Sequence, residues 1–355
     1  EKDNPMRYIA KSYNLTRQPF QLKADNPMKK NKSLSENVYK QVLAAEKRIR
    51  PHIRKTDLEY SPCLSNSVGG RVFLKLECMQ YTGSFKYRGA LNKFLSLSHK
   101  DRQVPVITAS SGNHGTALAA ILQKFGGKGV VYLPENASPA KVNNLRQYGV
   151  GLEFFGTDCI VSETLAKKTA EENRQVFISP YNDPQIIGGQ GTIAVELRHQ
   201  MDTMDTVMVP VGGGGLISGM AGYLKTIDKS IQTIACQPKN SAVMCASIKA
   251  GKILDMASKP TIADGTAGGI EPNSTTFDIC KEAVDDYILA SENEIRSAIR
   301  LIVEQHQMLI EGAAALSVAC LLKEKDRFKG KHTVLIISGK KITTALLKEI
   351  LNESV

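Results

Sequence analysis

The chain has 355 residues, 42% of them hydrophobic, enough for one large domain or two smaller ones around a real core. Its net charge of +11 invites nucleic acid, an anionic surface or small anions, but only 6% of residues are aromatic and no base-reading motif occurs, so nucleic acid is not expected as a partner. Seven cysteines, odd in number and without a CxxC pair, indicate free thiols in a reducing compartment, and a cytoplasmic location is expected.

Residues 1–32 are polar, basic and aperiodic and read as an N-terminal arm. The chain begins at Glu1 rather than Met, which fits removal of a leader, and no secretory signal is visible. Ser33-Leu34-Ser35-Glu36 is a capping box that opens a helix to about His52. A strand is expected at Val72–Leu76. Further strands follow at Val104–Thr108, Gly129–Leu133, Leu152–Phe155, Val176–Ile178, Val207–Val211, Thr233–Cys236, Tyr287–Leu289 and Val334–Ile337. Helical patterns separate most of them, as at Asn113–Phe125, Ala140–Tyr148 and Gln185–Gln200, and a second capping box at Ser291–Glu294 opens a helix to about Gln305. Thr206–Leu224 is an uncharged run of 19 residues, but its six glycines and Pro210 make it a strand, a loop and a helix start rather than a membrane span. Alternating strands and helices with apolar strands define an α/β fold with mostly parallel sheets covered by helices.

Open sheets of this kind bind ligands where strands deliver their C-terminal ends into loops. Three such ends carry short polar or glycine-rich loops: Ser110–Gly115, Gly212–Gly215 and Ser338–Lys341. Consecutive glycines before a helix let backbone amides converge into an anion nest suited to phosphate, or make a tight turn without a ligand. No Lys-Ser or Lys-Thr follows, so it is not a nucleotide P-loop. The GxGxxG fingerprint also fails, because Ile217 and Ser218 stand where a last glycine is needed. The Ser110–Gly115 loop offers hydroxyls, an amide and helix-start N–H groups to a carboxylate, unless Ser111 or Asn113 merely caps the helix. His114 has no carboxylate partner in sequence and reads as structural. In Gly83–Ala90, Lys86 follows Ser84 as N-cap and Phe85. A helix start and an apolar neighbour both disfavour an ammonium, and a partly neutral lysine can form a Schiff base with an aldehyde. A nucleophilic lysine, a phosphate nest and a carboxylate pocket together suit an aldehyde cofactor bearing a phosphate and processing an amino acid: pyridoxal 5'-phosphate.

Over residues 33–350 the chain resembles the fold type II pyridoxal-phosphate enzymes (tryptophan synthase β-like), within them the serine/threonine dehydratase and serine racemase family. The resemblance rests on Glu46–Pro51, Leu74–Glu77, Gly83–Ala90, Ser110–Gly115, Gln190–Ala194, Gly212–Gly215, Ala263–Gly265, Glu311–Ala313 and Ser338-Gly339, in family order. It implies two open, twisted, mostly parallel sheets. A large cofactor-binding domain would comprise residues 33–103 and 183–355, with a small domain at 104–182. It further implies that Lys86 carries the cofactor and removes the α-proton, that Phe85 lies against its ring, that Asn113 bonds the ring hydroxyl, and that Gly212, Gly213, Gly214, Gly215 and Leu216 hold the phosphate. Ser338 would face the pyridine nitrogen without keeping it protonated. Ser110, Ser111, Asn113 and His114 would hold the substrate carboxylate. The implied activity is an ammonia-lyase that eliminates the β-hydroxyl of L-serine and L-threonine, and a homo-oligomer, a dimer, is expected.

Ser111 brings an alternative, because family members with serine there can protonate the α-carbon opposite the lysine. That would make the protein an amino-acid racemase, or a dehydratase of 3-hydroxyaspartate. A β-replacement synthase of the same fold is opposed by the Ser110–Gly115 loop, and a non-catalytic binding protein is motivated only by charge. The racemase-like members place metal carboxylates where this chain has Gln237 and, nearby, Val243, so no metal is expected. Lys340 and Lys341 depart from the family's small residue and asparagine, and two cations there would favour an acidic substrate or stay solvated. Only 17 residues follow Ser338, so a short form without a regulatory domain is expected.

Overall fold

The structure, a computed structural model, describes residues 33–157 and 159–353, and the arm expected at 1–32 lies outside the described residues. The chain runs through α1 (Leu34–Ile49), β1 (Leu58–Tyr60), α2 (Pro62–Val68), β2 (Arg71–Lys75), α3 (Lys86–Ser96) and α4 (His99–Gln103). There follow β3 (Val106–Ala109), α5 (Asn113–Phe125), β4 (Gly129–Leu133), α6 (Pro139–Arg146), β5 (Gly151–Phe154), α7 (Cys159–Glu172) and α8 (Pro184–Gln200). The remainder is β6 (Thr206–Pro210), α9 (Gly215–Ile227), β7 (Gln232–Pro238), α10 (Val243–Ala250), α11 (Thr275–Ala283), β8 (Asp286–Ala290), α12 (Glu292–His306), α13 (Gly312–Lys323), β9 (His332–Ile336) and α14 (Thr344–Asn352). No helix among the described residues is long and apolar enough to cross a membrane.

Two sheets result. The larger has strand order β1-β2-β9-β6-β7-β8, all parallel except for β1, which runs antiparallel to β2. The smaller is the parallel set β3-β4-β5 and is drawn wholly from residues 104–182. We propose that the segments carrying the two sheets form the large and small domains. Every residue of β6 is buried, as its Thr-Val-Met-Val-Pro sequence requires of a strand covered on both faces. In α1, Val38, Val42, Ala45 and Ile49 recur at helical spacing and form its buried face, which packs against α8 and α9.

Three expectations are corrected. The segment at Val176–Ile178 is no strand. Only Phe177 forms a bridge, to Ile107, before the chain turns away toward α8. α1 ends at Ile49 and continues as a 3-10 turn at Arg50–His52, because Pro51 has no N–H to extend the helix. The Ser33 box makes one arm, Glu36 N–H to Ser33 Oγ, whereas the box at Ser291 is complete.

A network of buried charges ties these elements together. Arg88, fully buried in the first turn of α3, donates to Glu77 Oε2 and Oε1 at 2.7 Å each. It also reaches Glu196 Oε1 at 2.8 Å and Oε2 at 3.0 Å on α8. Lys75 at the end of β2 donates to Glu196 Oε2 at 2.6 Å, to the Thr56 carbonyl at 2.8 Å and to Gln200 Oε1 at 2.9 Å. Arg50 approaches Glu196 Oε1 from outside at 2.8 Å. Burial alone would raise the Glu196 carboxyl, but the Arg88 and Lys75 cations hold it at about 2. Breaking such a set strands the remaining charges without a counter-ion. Glu196→Ala is expected to lower the unfolding free energy by about 3–5 kcal/mol, read as a shift of the urea midpoint without a large change in slope.

Candidate active site

Parallel neighbours present their C-terminal ends at one edge of a sheet. Here β2, β9 and β6 stand side by side, so the chain after β2, the Ser338 loop and the glycine loop emerge together. The first two are joined directly. Ser84 bridges Gly339, Phe85 N–H donates to the Ser338 carbonyl at 3.1 Å, and Lys340 N–H donates to the Gly83 carbonyl at 3.1 Å. This pairing leaves Ser84 extended, so the N-cap of α3 is Phe85 rather than Ser84, and the Ser84 hydroxyl is buried without a partner.

Lys86 is the first residue of α3. Its ammonium donates to the Pro180 carbonyl at 2.8 Å and lies 5.3 Å from the centre of the Phe85 ring. Burial pulls its pKa down to about 8, and the nearby Glu311 carboxylate opposes that fall. The residue after Pro180, Tyr181, packs under the glycine loop. A Cβ on Gly213 would sit 2.6 Å from the Tyr181 ring, and Gly214 has φ +87°. Neither position admits another residue without a shift. The first amides of α9 at Gly215 and Leu216 have no acceptor within the helix and open toward this loop.

The Ser110–Gly115 loop follows β3. α5 has Gly112 as its N-cap with no side-chain bond, so neither Ser111 nor Asn113 caps it. Ser110 Oγ accepts from Gly112 N–H at 3.3 Å, while the Ser111 hydroxyl, half-buried, has no hydrogen-bond partner among the described residues. Asn113 donates to both Glu311 oxygens, at 3.0 and 2.9 Å, and its own Oδ1 is buried without a partner. His114 turns into the core. Its Nε2 donates to the Ile178 carbonyl at 3.1 Å and Nδ1 is unpartnered. Burial, and then the charge of Lys86, push its pKa down to about 3, so the ring is neutral. Ser338 is buried, as is Leu216. Gln237 accepts from Cys245 N–H at 2.8 Å, and Val243 is buried in the core. Among the described residues no group of three His, Cys, Asp or Glu is placed to hold a metal.

Three participants were not singled out as site residues from sequence: Pro180, Tyr181 and Glu311. Glu311 is nearly buried, and burial raises its carboxyl to about 7 against the pull of the Asn113 hydrogen bond. The signal for it was an acid set between Met308-Leu309-Ile310 and Gly312-Ala313. Lys341 donates its backbone N–H to Glu311 Oε2 at 3.3 Å and its ammonium to Thr116 Oγ1 at 2.7 Å, and burial of that end draws its pKa to about 8.

The fold and this arrangement define a pyridoxal-phosphate dependent enzyme: the chain belongs to that family, whose model matches residues 49–339. It is 37% identical over 309 residues to the L-threonine ammonia-lyase of Thermotoga maritima, covering 87% of this chain and 77% of the relative. Identity to the catabolic L-threonine dehydratase of Escherichia coli K12 is also 37%, over 313 residues, 87% of this chain and 94% of that protein. The fold matches the crystal structure of serine racemase from Dictyostelium discoideum with a TM-score of 0.79 at 34% identity, over 86% of this chain and 98% of that one. The cofactor is pyridoxal phosphate, and the residues present fit it. Ser84 Oγ, Asn113 Oδ1 and His114 Nδ1 are buried polar atoms without protein partners, Lys86 has its pKa lowered by burial, and the glycine loop packs on Tyr181, the residue after the carbonyl that Lys86 bonds.

Only the neutral amine is nucleophilic, and a depressed pKa brings it forward on the pH scale. In the protein freed of cofactor, acylation of Lys86 followed by peptide mass spectrometry should be half-maximal near pH 8. Exposed lysines should still be gaining reactivity above about pH 10.

Proposed function

We propose that the protein is an ammonia-lyase that eliminates the β-hydroxyl of L-threonine and L-serine, giving a 2-keto acid and ammonia. The observation that carries this reading is Lys86. Its ammonium is drawn off the solvent onto Pro180 O, beside Glu311 and next to the chain that floors the glycine loop. The relatives named as L-threonine ammonia-lyase and dehydratase support it. Lys86 would hold the cofactor, with Phe85, Asn113 and Ser338 around its ring and the amides of Gly212–Leu216 on its phosphate. Pyridoxal phosphate, when bound, supplies an electron sink for the substrate's α-carbon. Ser110, Asn113 and the first amides of α5 orient the substrate carboxylate, and His114, neutral and fixed on Ile178 O, shapes the floor behind them. Lys86 would also be the base that takes the α-proton, a role for which burial lowers its pKa to about 8. A cytoplasmic homodimer is part of the same reading.

Borohydride treatment of the holoenzyme should fix the cofactor on Lys86 alone, located by peptide mass spectrometry. Lys86→Ala should fold and release no keto acid from L-threonine or L-serine. Label on another lysine sinks the assignment.

The free hydroxyl of Ser111 favours a second activity, racemisation, since it is committed neither to capping nor to any other bond. With Lys86 and Ser111 as the two proton-carrying groups, Ser111→Ala should remove racemisation and D-directed elimination and leave most L-directed elimination, as followed by chiral chromatography. Equal loss on both enantiomers contradicts the two-group scheme.

A further inference from the structure

Apart from the surroundings of Lys86, a cavity of about 490 Å³ opens at the C-terminal ends of β7 and β8, on the far side of the large sheet from β2. Three lysines line it: Lys239 directly after β7, Lys249 in the last turn of α10, and Lys259 in the loop that follows. All three are exposed, and no carboxylate is among the lining residues. Glu294, which senses the Lys239 charge, is matched by Lys323 at 3.6 Å, and Asp286, which is near Cys245, is matched by Arg327 at 2.6 Å. Lys249 lies beside the Cys245 thiol, which burial raises and keeps protonated, so that thiol is no counter-ion. The neutral wall is tied to itself. Asn240 Nδ2 donates to the Pro260 carbonyl at 2.7 Å, Lys259 N–H donates to the Asn240 carbonyl at 2.8 Å, and the Ser241 and Ser258 hydroxyls pair at 2.7 Å. These bonds hold the loop that carries Lys259 against the start of α10. That helix begins without a side-chain cap, so the Val243 and Met244 N–H groups have no acceptor within it.

We propose that this cavity binds a small aliphatic polyanion, a polycarboxylate or a phosphate monoester carrying two or more negative charges. Three ammonium groups around a wall without an acid repel one another, and an anion between them relieves that repulsion. Each ammonium offers three donors, so carboxylate or phosphate oxygens are hydrogen-bonded as well as neutralised. The positive end of α10 adds to the same field. Val243, Met256 and Leu289 give the cavity an apolar side suited to a short carbon chain. No aromatic ring lines it, so a nucleobase would find nothing to stack on. Its size is usual for a small-molecule site. Part of the chain's net charge of +11 thus has a local use that the Lys86 site does not give it. The proposal holds whether or not the ammonia-lyase reading does.

Calorimetry on the holoenzyme, whose cofactor phosphate site is already filled, tests this with citrate, butyl phosphate and butyrate. Wild type is compared with Lys249→Gln/Lys259→Gln and with Lys47→Gln/Lys100→Gln, which removes the same charge at exposed lysines elsewhere. In the first double variant the dissociation constant of the polyanion should rise about tenfold or more, the loss expected when charge-assisted contacts are removed, and in the second it should change less than about twofold. Butyrate, with one charge, should bind wild type about tenfold or more weakly than the polyanion. Binding of citrate alone makes the ligand a polycarboxylate and binding of butyl phosphate alone a phosphate ester, and either upholds the site. Absence of binding by both polyanions overturns the proposal. So does equal weakening in the two double variants, weakening in neither, or butyrate binding as tightly as the polyanion.

Discussion

Glu196 is the counter-ion on which the placement of Lys86 depends. Two residues after Lys86, Arg88 enters the protein interior and is neutralised by Glu77 and Glu196. Lys75, at the end of the strand that leads to this segment, is neutralised by the same Glu196. The first turn of α3 is therefore anchored from below by ionic contacts that have no water to exchange with. Charges in a low-dielectric interior tolerate little displacement, because each lost contact leaves a desolvated ion. That is a stiffer mount than apolar packing provides, and it fixes where the helix begins and hence where Lys86 points.

The groups above that mount share one electrostatic cause. Lys86 titrates near 8, Glu311 near 7 and His114 near 3, and in each case burial is the largest influence. Burial moves acids up and bases down, so Lys86 and Glu311 are drawn from opposite sides toward the neutral range. Asn113 Oδ1 and Ser84 Oγ are likewise buried without a protein partner.

Much of this was legible in the chain. The alternation of apolar runs with helical periods gave the layered α/β plan, and the glycine loop, Lys86 and the Ser110–Gly115 segment were read from residue type and from their place at strand ends. What escaped was set by contacts between distant segments. Arg88 and Glu196 are separated by 108 residues, and single charges within helical patterns read as solvated faces. Ser84 looked like an N-cap, but pairing with Gly339 pulled it into extended backbone, a tertiary contact overriding a local preference. The expected strand at Val176–Ile178 has the apolar composition of one, yet its backbone–backbone bonds run only to Ile107. Tyr181 had no sequence signal, since an aromatic beneath a glycine loop is defined only by the glycines' missing side chains.

That short segment has a wider consequence. Within four residues, the Ile178 carbonyl receives His114, the Pro180 carbonyl receives Lys86, and the Tyr181 ring floors Gly213. Three parts of the site, borne on three separate elements, are gauged against one stretch of main chain. Two of the three attachments use backbone carbonyls, which every amino acid possesses. The carbonyl at 180 therefore does not depend on its own side chain, whereas Ile178 is held by its place in the core and Tyr181 by its ring.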